Sequence, residues 1–155
     1  MVTHGLVTGA LLALVAMLRS RTGTCNLSEL GGLWGAVPCL SACFLLFALG
    51  SLGLPGLANF VGEILVLLGT FQAHPLWAVV ALLGVVFAAA YMLRLIQGVI
   101  WGPARSERVL PDLTLREWLM LLPMALLVVW LGLYPAPFLA PLHGTVATLL
   151  AGGLP

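Results

Sequence analysis

The chain has 155 residues, 62% of them hydrophobic and 7% charged, against roughly a quarter charged in an ordinary soluble domain. No soluble fold has an interior large enough for that composition, so the apolar runs read as helices crossing lipid, each needing about 20 residues. Six arginines against five acids leave a formal net charge of +1, which makes no basic patch and carries no message about nucleic acid, so none is expected as a partner.

The first apolar run, Met1 to Leu18, carries His4 and ends at Arg19 and Arg21. With no Lys or Arg ahead of Arg19 and no convincing cleavage site, it reads as a retained helix and not a secretory signal. A polar loop, Thr22 to Gly32, follows. The second run, Leu33 to Phe71, is too long for one ordinary span and is interrupted by Gly53-Leu54-Pro55-Gly56. The third runs from Pro75 to Trp101 and the fourth from Leu115 to Tyr134. Between these two lies a polar loop holding Arg105, Glu107, Arg108, Asp112 and Arg116. Phe138 to Leu154 is apolar but interrupted by Pro141, His143 and paired glycines, which predicts a segment lying along the interface.

The second run forms either a hairpin or one crossing broken near its middle. Arginines concentrate in the Arg19 to Gly32 loop and the Gly102 to Leu115 loop, and cytoplasmic loops are the ones enriched in Lys and Arg. Only a single crossing puts both on the same side. The expectation is therefore an all-α membrane protein of about four transmembrane helices, the second discontinuous at Gly53, Pro55 and Gly56. The transmembrane part covers residues 1–134 and an interfacial segment covers 135–155.

Cys25, Cys39 and Cys43 make neither a disulfide framework nor a zinc pattern, and two of them sit inside an apolar segment as small helix residues. Trp34, Trp77, Trp101, Trp118, Trp130 and Tyr134 fall near segment ends, as interfacial anchors do. No phosphate loop, paired-cysteine cluster or nucleophile triad is present, so nucleotide binding and hydrolysis have no support.

The chemistry lies in the polar residues at membrane depth. Pro55 has no N–H and clashes with the preceding turn, while Gly53 and Gly56 permit unusual dihedrals, so helix geometry should fail between Leu52 and Leu57. Freed backbone at that depth is tolerated where it lines a wet cavity, and transporters place such breaks near ion sites; the plainer reading is a loop or kink. Glu63 follows about two turns later, flanked by apolar residues. A carboxylate there is costly and marks a proton or ion path more often than a structural ion pair. Desolvation favours its neutral form and a nearby cation its charged form, so one group can take and release a proton.

His4 titrates near neutral pH and can relay a proton through its two nitrogens; a hydrogen bond between helices is the equally simple reading. Arg94, about seven residues before the end of its helix, reads as a snorkelling cation or a local ion-pair partner, with a part in a proton path as the alternative. His74 and His143 fall at or beyond the predicted membrane edges.

Three stretches together carry a family resemblance: Thr3-His4-Gly5-Leu6, Leu49 through Glu63, and Gly132-Leu133-Tyr134-Pro135. The chain resembles the antiporter-like membrane subunits of respiratory complex I, of the chain M type, over essentially its whole length. The resemblance implies the eleventh to fourteenth helices of such a subunit, the twelfth being discontinuous. It implies that Glu63 is the terminal ionisable group exchanging a proton with the periplasmic side and that His4 belongs to the hydrophilic axis feeding it. Glu in place of Lys on the twelfth helix points to the M type and away from a Mrp-type cation/proton antiporter; a membrane-bound hydrogenase subunit has the same shape.

The segment from Pro135 onward resembles a lateral helix linking neighbouring subunits. Implied partners are the other membrane-arm subunits and the lipid bilayer of a bacterial inner membrane. NADH, FMN, iron–sulfur and quinone chemistry would belong to other subunits of the NADH-quinone oxidoreductase, and no cofactor is expected in this chain. Family members have about fourteen helices, so a first half-channel has no counterpart here, and Met1 falls inside what would be a helix. A split gene, an internal start and an inactive fragment are the corresponding expectations. A small multidrug transporter is disfavoured, because its essential Glu lies in the first helix.

Overall fold

The computed structural model describes residues 2–103 and 110–151, with the backbone alone at 142, 143, 145 and 147–151. Arg105, Glu107 and Arg108, and the side chain of His143, lie outside the described residues. Every described element is a helix: α1 (Val2–Thr22), α2 (Leu33–Ala36), α3 (Pro38–Ser51), α4 (Ala58–Ala73), α5 (Pro75–Ile100), α6 (Leu115–Leu133) and α7 (Ala136–Ala151). Of these α1, α5 and α6 are long and apolar enough to cross a membrane, while α3 and α4 are shorter apolar helices.

Local chemistry sets the helix ends. α1 continues past Leu18 through both arginines to Thr22, because cations are favoured against the carbonyl end of a helix. Pro38 is the first residue of α3, a position where its missing N–H costs nothing. The same proline disfavours helix at Val37, which separates the short α2 from α3. α6 opens on a capping box: the Thr114 hydroxyl accepts from Glu117 N–H at 3.4 Å, and the Glu117 carboxylate accepts from Thr114 N–H at 2.7 Å. α7 begins at Ala136, two residues before Phe138, and carries Pro141 inside it, as membrane helices tolerate.

A polar staple ties one end of the bundle together. Arg21, near the end of α1, donates to the carbonyls of Pro111 at 2.7 Å and Asp112 at 3.2 Å and pairs with Glu117 at 2.6 Å. The Asp112 carboxylate in turn accepts from the backbone N–H groups of Cys39 at 2.9 Å and Leu40 at 3.0 Å. Those are orphan donors of α3's first turn, whose own N-cap residue, Val37, supplies no side-chain acceptor. Burial of Asp112 opposes its charge, but the N–H donors of Cys39, Leu113 and Leu40 outweigh it and hold the carboxyl below its ordinary value. At the same end Trp34 meets Trp101 with ring centroids 6.4 Å apart.

Both arginine-bearing loops therefore share one end, and the second apolar run traverses the bundle once. α5 has 26 residues, roughly 39 Å at 1.5 Å per residue, and finishes at Trp101 on the stapled end. Its first residue, Pro75, must then lie at the opposite end, with α4 finishing just before it at Ala73. α3 starts at the stapled end, so α3 and α4 in series carry the chain from one end to the other. A hairpin would have returned α4 to the staple.

Packing follows one face of α1, where Val7, Ala10, Leu14 and Leu18 are buried at helical spacing. They meet Leu40, Phe44 and Phe47 of α3 and Leu121 and Val128 of α6 in a single core. The outer surface of α5 is apolar instead of polar: Leu76, Trp77, Phe87 and Tyr91 are all exposed. That arrangement is stable in hydrocarbon, where outward apolar side chains carry no penalty.

Candidate functional site: the helix break and its cavity

Residues 52–57 between α3 and α4 are non-helical, where the glycines and proline predict it. Gly53 and Gly56 have φ of +65° and +90°, a region that a Cβ disfavours by roughly 1–2 kcal/mol. α3 closes by a tightened last turn: Leu52 N–H donates to Ala48 O at 3.2 Å and Gly53 N–H to Gly50 O at 3.4 Å. Gly132 of α6 packs against the break so closely that a Cβ on it would overlap the Gly56 carbonyl. α6 thus covers the Gly56 side of the irregular backbone, while Leu54 and Pro55 are exposed.

The half-buried Glu63 side chain folds back from α4 onto this break. A Cβ built on Gly53 would lie 2.6 Å from the Glu63 Cδ and would overlap Oε2. The absence of a side chain at residue 53 therefore makes the space that the carboxyl group occupies. Two features read separately from the sequence, the break and the lone acid, are one site.

A cavity of about 360 Å³ opens beside the carboxyl group, lined by Thr3 and His4 of α1, Asn59, Gly62 and Glu63 of α4, and Ala81 and Val85 of α5. That is room for more than one water molecule. His4 is exposed on α1 and lines the same cavity as Glu63. An imidazole and a carboxyl group on one cavity with room for water are of the chemical types that can exchange a proton through it.

Asn59 was not singled out by charge, yet it stands in this cavity one helical turn before Glu63, on the same face. It is 6% exposed, and its Oδ1 is buried without a hydrogen-bond partner among the described residues. A polar residue four positions from an intramembrane acid is the sequence signal that would have found it.

The other candidates lie elsewhere. Arg94 is exposed on α5, outside the cavity lining, and no carboxylate is within ion-pair distance of it among the described residues. His74 is the hinge between α4 and α5, its N–H donating to Thr70 O at 2.7 Å. Cys25 and Cys39 are exposed and Cys43 is buried.

The profile of a family described as NADH:quinone oxidoreductase/Mrp antiporter, TM, matches residues 1–88. NADH-quinone oxidoreductase subunit M of Pseudomonas aeruginosa is 44% identical over 148 residues, covering 93% of this chain and 29% of that protein. NADH-ubiquinone oxidoreductase chain 4 of Marchantia polymorpha is 40% identical over 155 residues, covering 99% and 31%. A chain of the respiratory complex I from Thermus thermophilus with bound NADH superposes with a TM-score of 0.79 at 37% identity, over 84% of this chain and 28% of that one. The chain spans under a third of the length of the curated relatives it matches. With a profile match over more than half its length and a structural neighbour sharing its fold, this chain belongs to the NADH:quinone oxidoreductase/Mrp antiporter transmembrane family.

Proposed function

We propose that this chain forms the exit side of a proton route in subunit M of a proton-translocating NADH-quinone oxidoreductase. Glu63 is the terminal group that takes up and releases the proton, and His4 passes protons towards it. The observation that carries this reading is the seating of the Glu63 carboxyl group against Gly53 at the break, on the cavity that His4 also lines. The names of the relatives favour subunit M over a Mrp-type antiporter.

In this reading the partners are the other membrane-arm subunits and the surrounding bilayer, and the redox groups and quinone belong to those other subunits. The stapled end, with its arginines, faces the cytoplasm of a bacterial inner membrane. α7 runs along the interface towards a neighbouring subunit.

Glu63→Gln in the assembled oxidoreductase tests the proposal. The protons pumped per electron should fall while the enzyme still reduces quinone. Unchanged pumping per electron would overturn it.

A further inference from the structure

We propose that Arg94 on α5 anchors the phosphate of an anionic phospholipid in the leaflet at the stapled end. This site stands apart from the cavity and does not depend on the proton route.

The outward face of α5 is sorted by polarity along its length. Leu76, Val80, Leu83 and Phe87 recur at helical spacing and are all exposed. Towards the stapled end the same stripe continues as Tyr91, Arg94, Gln97 and Trp101, also exposed. Exposed tryptophans stand near both ends of the helix, Trp77 and Trp101, about 36 Å apart at 1.5 Å per residue. That span falls between the hydrocarbon core of a bilayer, about 30 Å, and its thickness with headgroups, about 40–45 Å. Tryptophans collect at those two levels. Faces that pack against other membrane helices favour small residues, whereas this stripe carries leucine, phenylalanine, tyrosine and tryptophan. Lipid is the neighbour it fits.

Arg94 lies about 10 Å from Trp101 along the helix, a depth from which an arginine reaches the headgroup level. A cation there pairs with an anion, and among the described residues the chain supplies none. At this end Asp112 and Glu117 are held in the staple, and Glu29 accepts from Asn26 Nδ2 at 3.0 Å. Phosphate is the anion that a bilayer offers at that level. A guanidinium can meet it with two parallel N–H groups, and Gln97, one turn further on, adds an amide donor. Nothing lies within 4 Å of the Cβ position on Gly98, so the surface beside Arg94 is open to a headgroup. Trp101 is steadied against Trp34, with ring centroids 6.4 Å apart. Phe87 and Leu83, deeper on the same stripe, run alongside the acyl chains of that lipid.

The test uses the assembled oxidoreductase in phosphatidylcholine vesicles carrying a trace of photoreactive phospholipid. The diazirine sits on an acyl chain, and the headgroup is either phosphatidylglycerol or phosphatidylcholine. After irradiation, labelled α5 peptides are measured by mass spectrometry. The phosphatidylglycerol probe should label α5 roughly fivefold more than the phosphatidylcholine probe, the preference that one arginine confers near an anionic lipid. Arg94→Gln should bring the two probes to parity, while Arg94→Lys should keep most of the preference. Assembly is read on native gels; if the glutamine chain does not assemble, Arg94→Met makes the same comparison. Equal labelling by the two probes in the unaltered complex overturns the site, as does an undiminished preference in Arg94→Gln. Absence of label from both probes would mean that protein covers this face, and overturns it as well.

Discussion

Gly53 and Glu63 occupy complementary space: the carboxyl group of one fills the volume that a side chain on the other would need. Gly53→Ala should therefore both strain the backbone and displace the carboxyl group. Gly56→Ala is the control, since φ is positive there too, at +90°, but the added Cβ meets only Leu133 Cδ2, at 3.7 Å. Each substitution should cost roughly 1–2 kcal/mol of local stability, but only Gly53→Ala should lower the protons pumped per electron. Measurement of both in membrane vesicles separates strain from displacement. Equal pumping by the two variants would show that the seat of the carboxyl group does not matter.

Gly132 makes a second close approach, where a Cβ would lie 2.5 Å from the carbonyl carbons of Gly56 and Leu57. Neither backbone can yield as a flexible side chain does, so Gly132→Ala should push α6 from the break. The expected result is a loss of assembled complex on native gels. Gly9→Ala should assemble normally, because its Cβ would meet only Met124 Cε at 3.8 Å. Normal assembly of Gly132→Ala would mean that α6 is not held at the break as closely as the structure places it.

The break and Glu63 were legible because both are local signals: glycines and a proline that cannot sustain a helix, and a charge where solvation is poor. Asn59 lies in the same stretch but is uncharged, and only the third dimension shows its Oδ1 buried beside the acid. The single crossing followed from arginine placement, and the structure supplies the contact beneath it, Arg21 reaching Pro111 and Asp112 across 90 and 91 residues. That Asp112 caps α3 was invisible in the sequence, because a cap supplied from 73 residues away has no local pattern. The Thr114-x-x-Glu117 box, by contrast, is a readable helix start, at the point where the apolar run from Leu115 begins.

The shared end of the two arginine loops gives a direct topological prediction. Cys25 is exposed in the first of them. In a chain with Cys39→Ser and Cys43→Ala, a membrane-impermeant maleimide should label Cys25 in inside-out vesicles and leave it unlabelled in right-side-out ones. A single cysteine placed in the second loop at Gly102 should follow the same pattern. Opposite labelling of the two positions would reject a single broken crossing.

Asp112 tests the staple. Asp112→Ala leaves the Cys39 and Leu40 N–H groups unpaired, and losing such a cap costs about 1 kcal/mol. The loss should appear as a lower thermal midpoint of the solubilised complex and as faster reaction of Cys39 with thiol reagents. The charge on Asp112 adds a pH dependence of definite sign. Its folded pKa lies below the ordinary carboxyl value of 3.8, so its contribution is complete above about pH 4 and fades as the pH falls through the lower, folded value. Asp112→Asn keeps a capping oxygen but not the charge, so it should cost less than Asp112→Ala at neutral pH and flatten the acid limb of the stability profile. If Asp112→Asn retains the full acid dependence, the staple is a hydrogen-bonding device in which the charge plays no part.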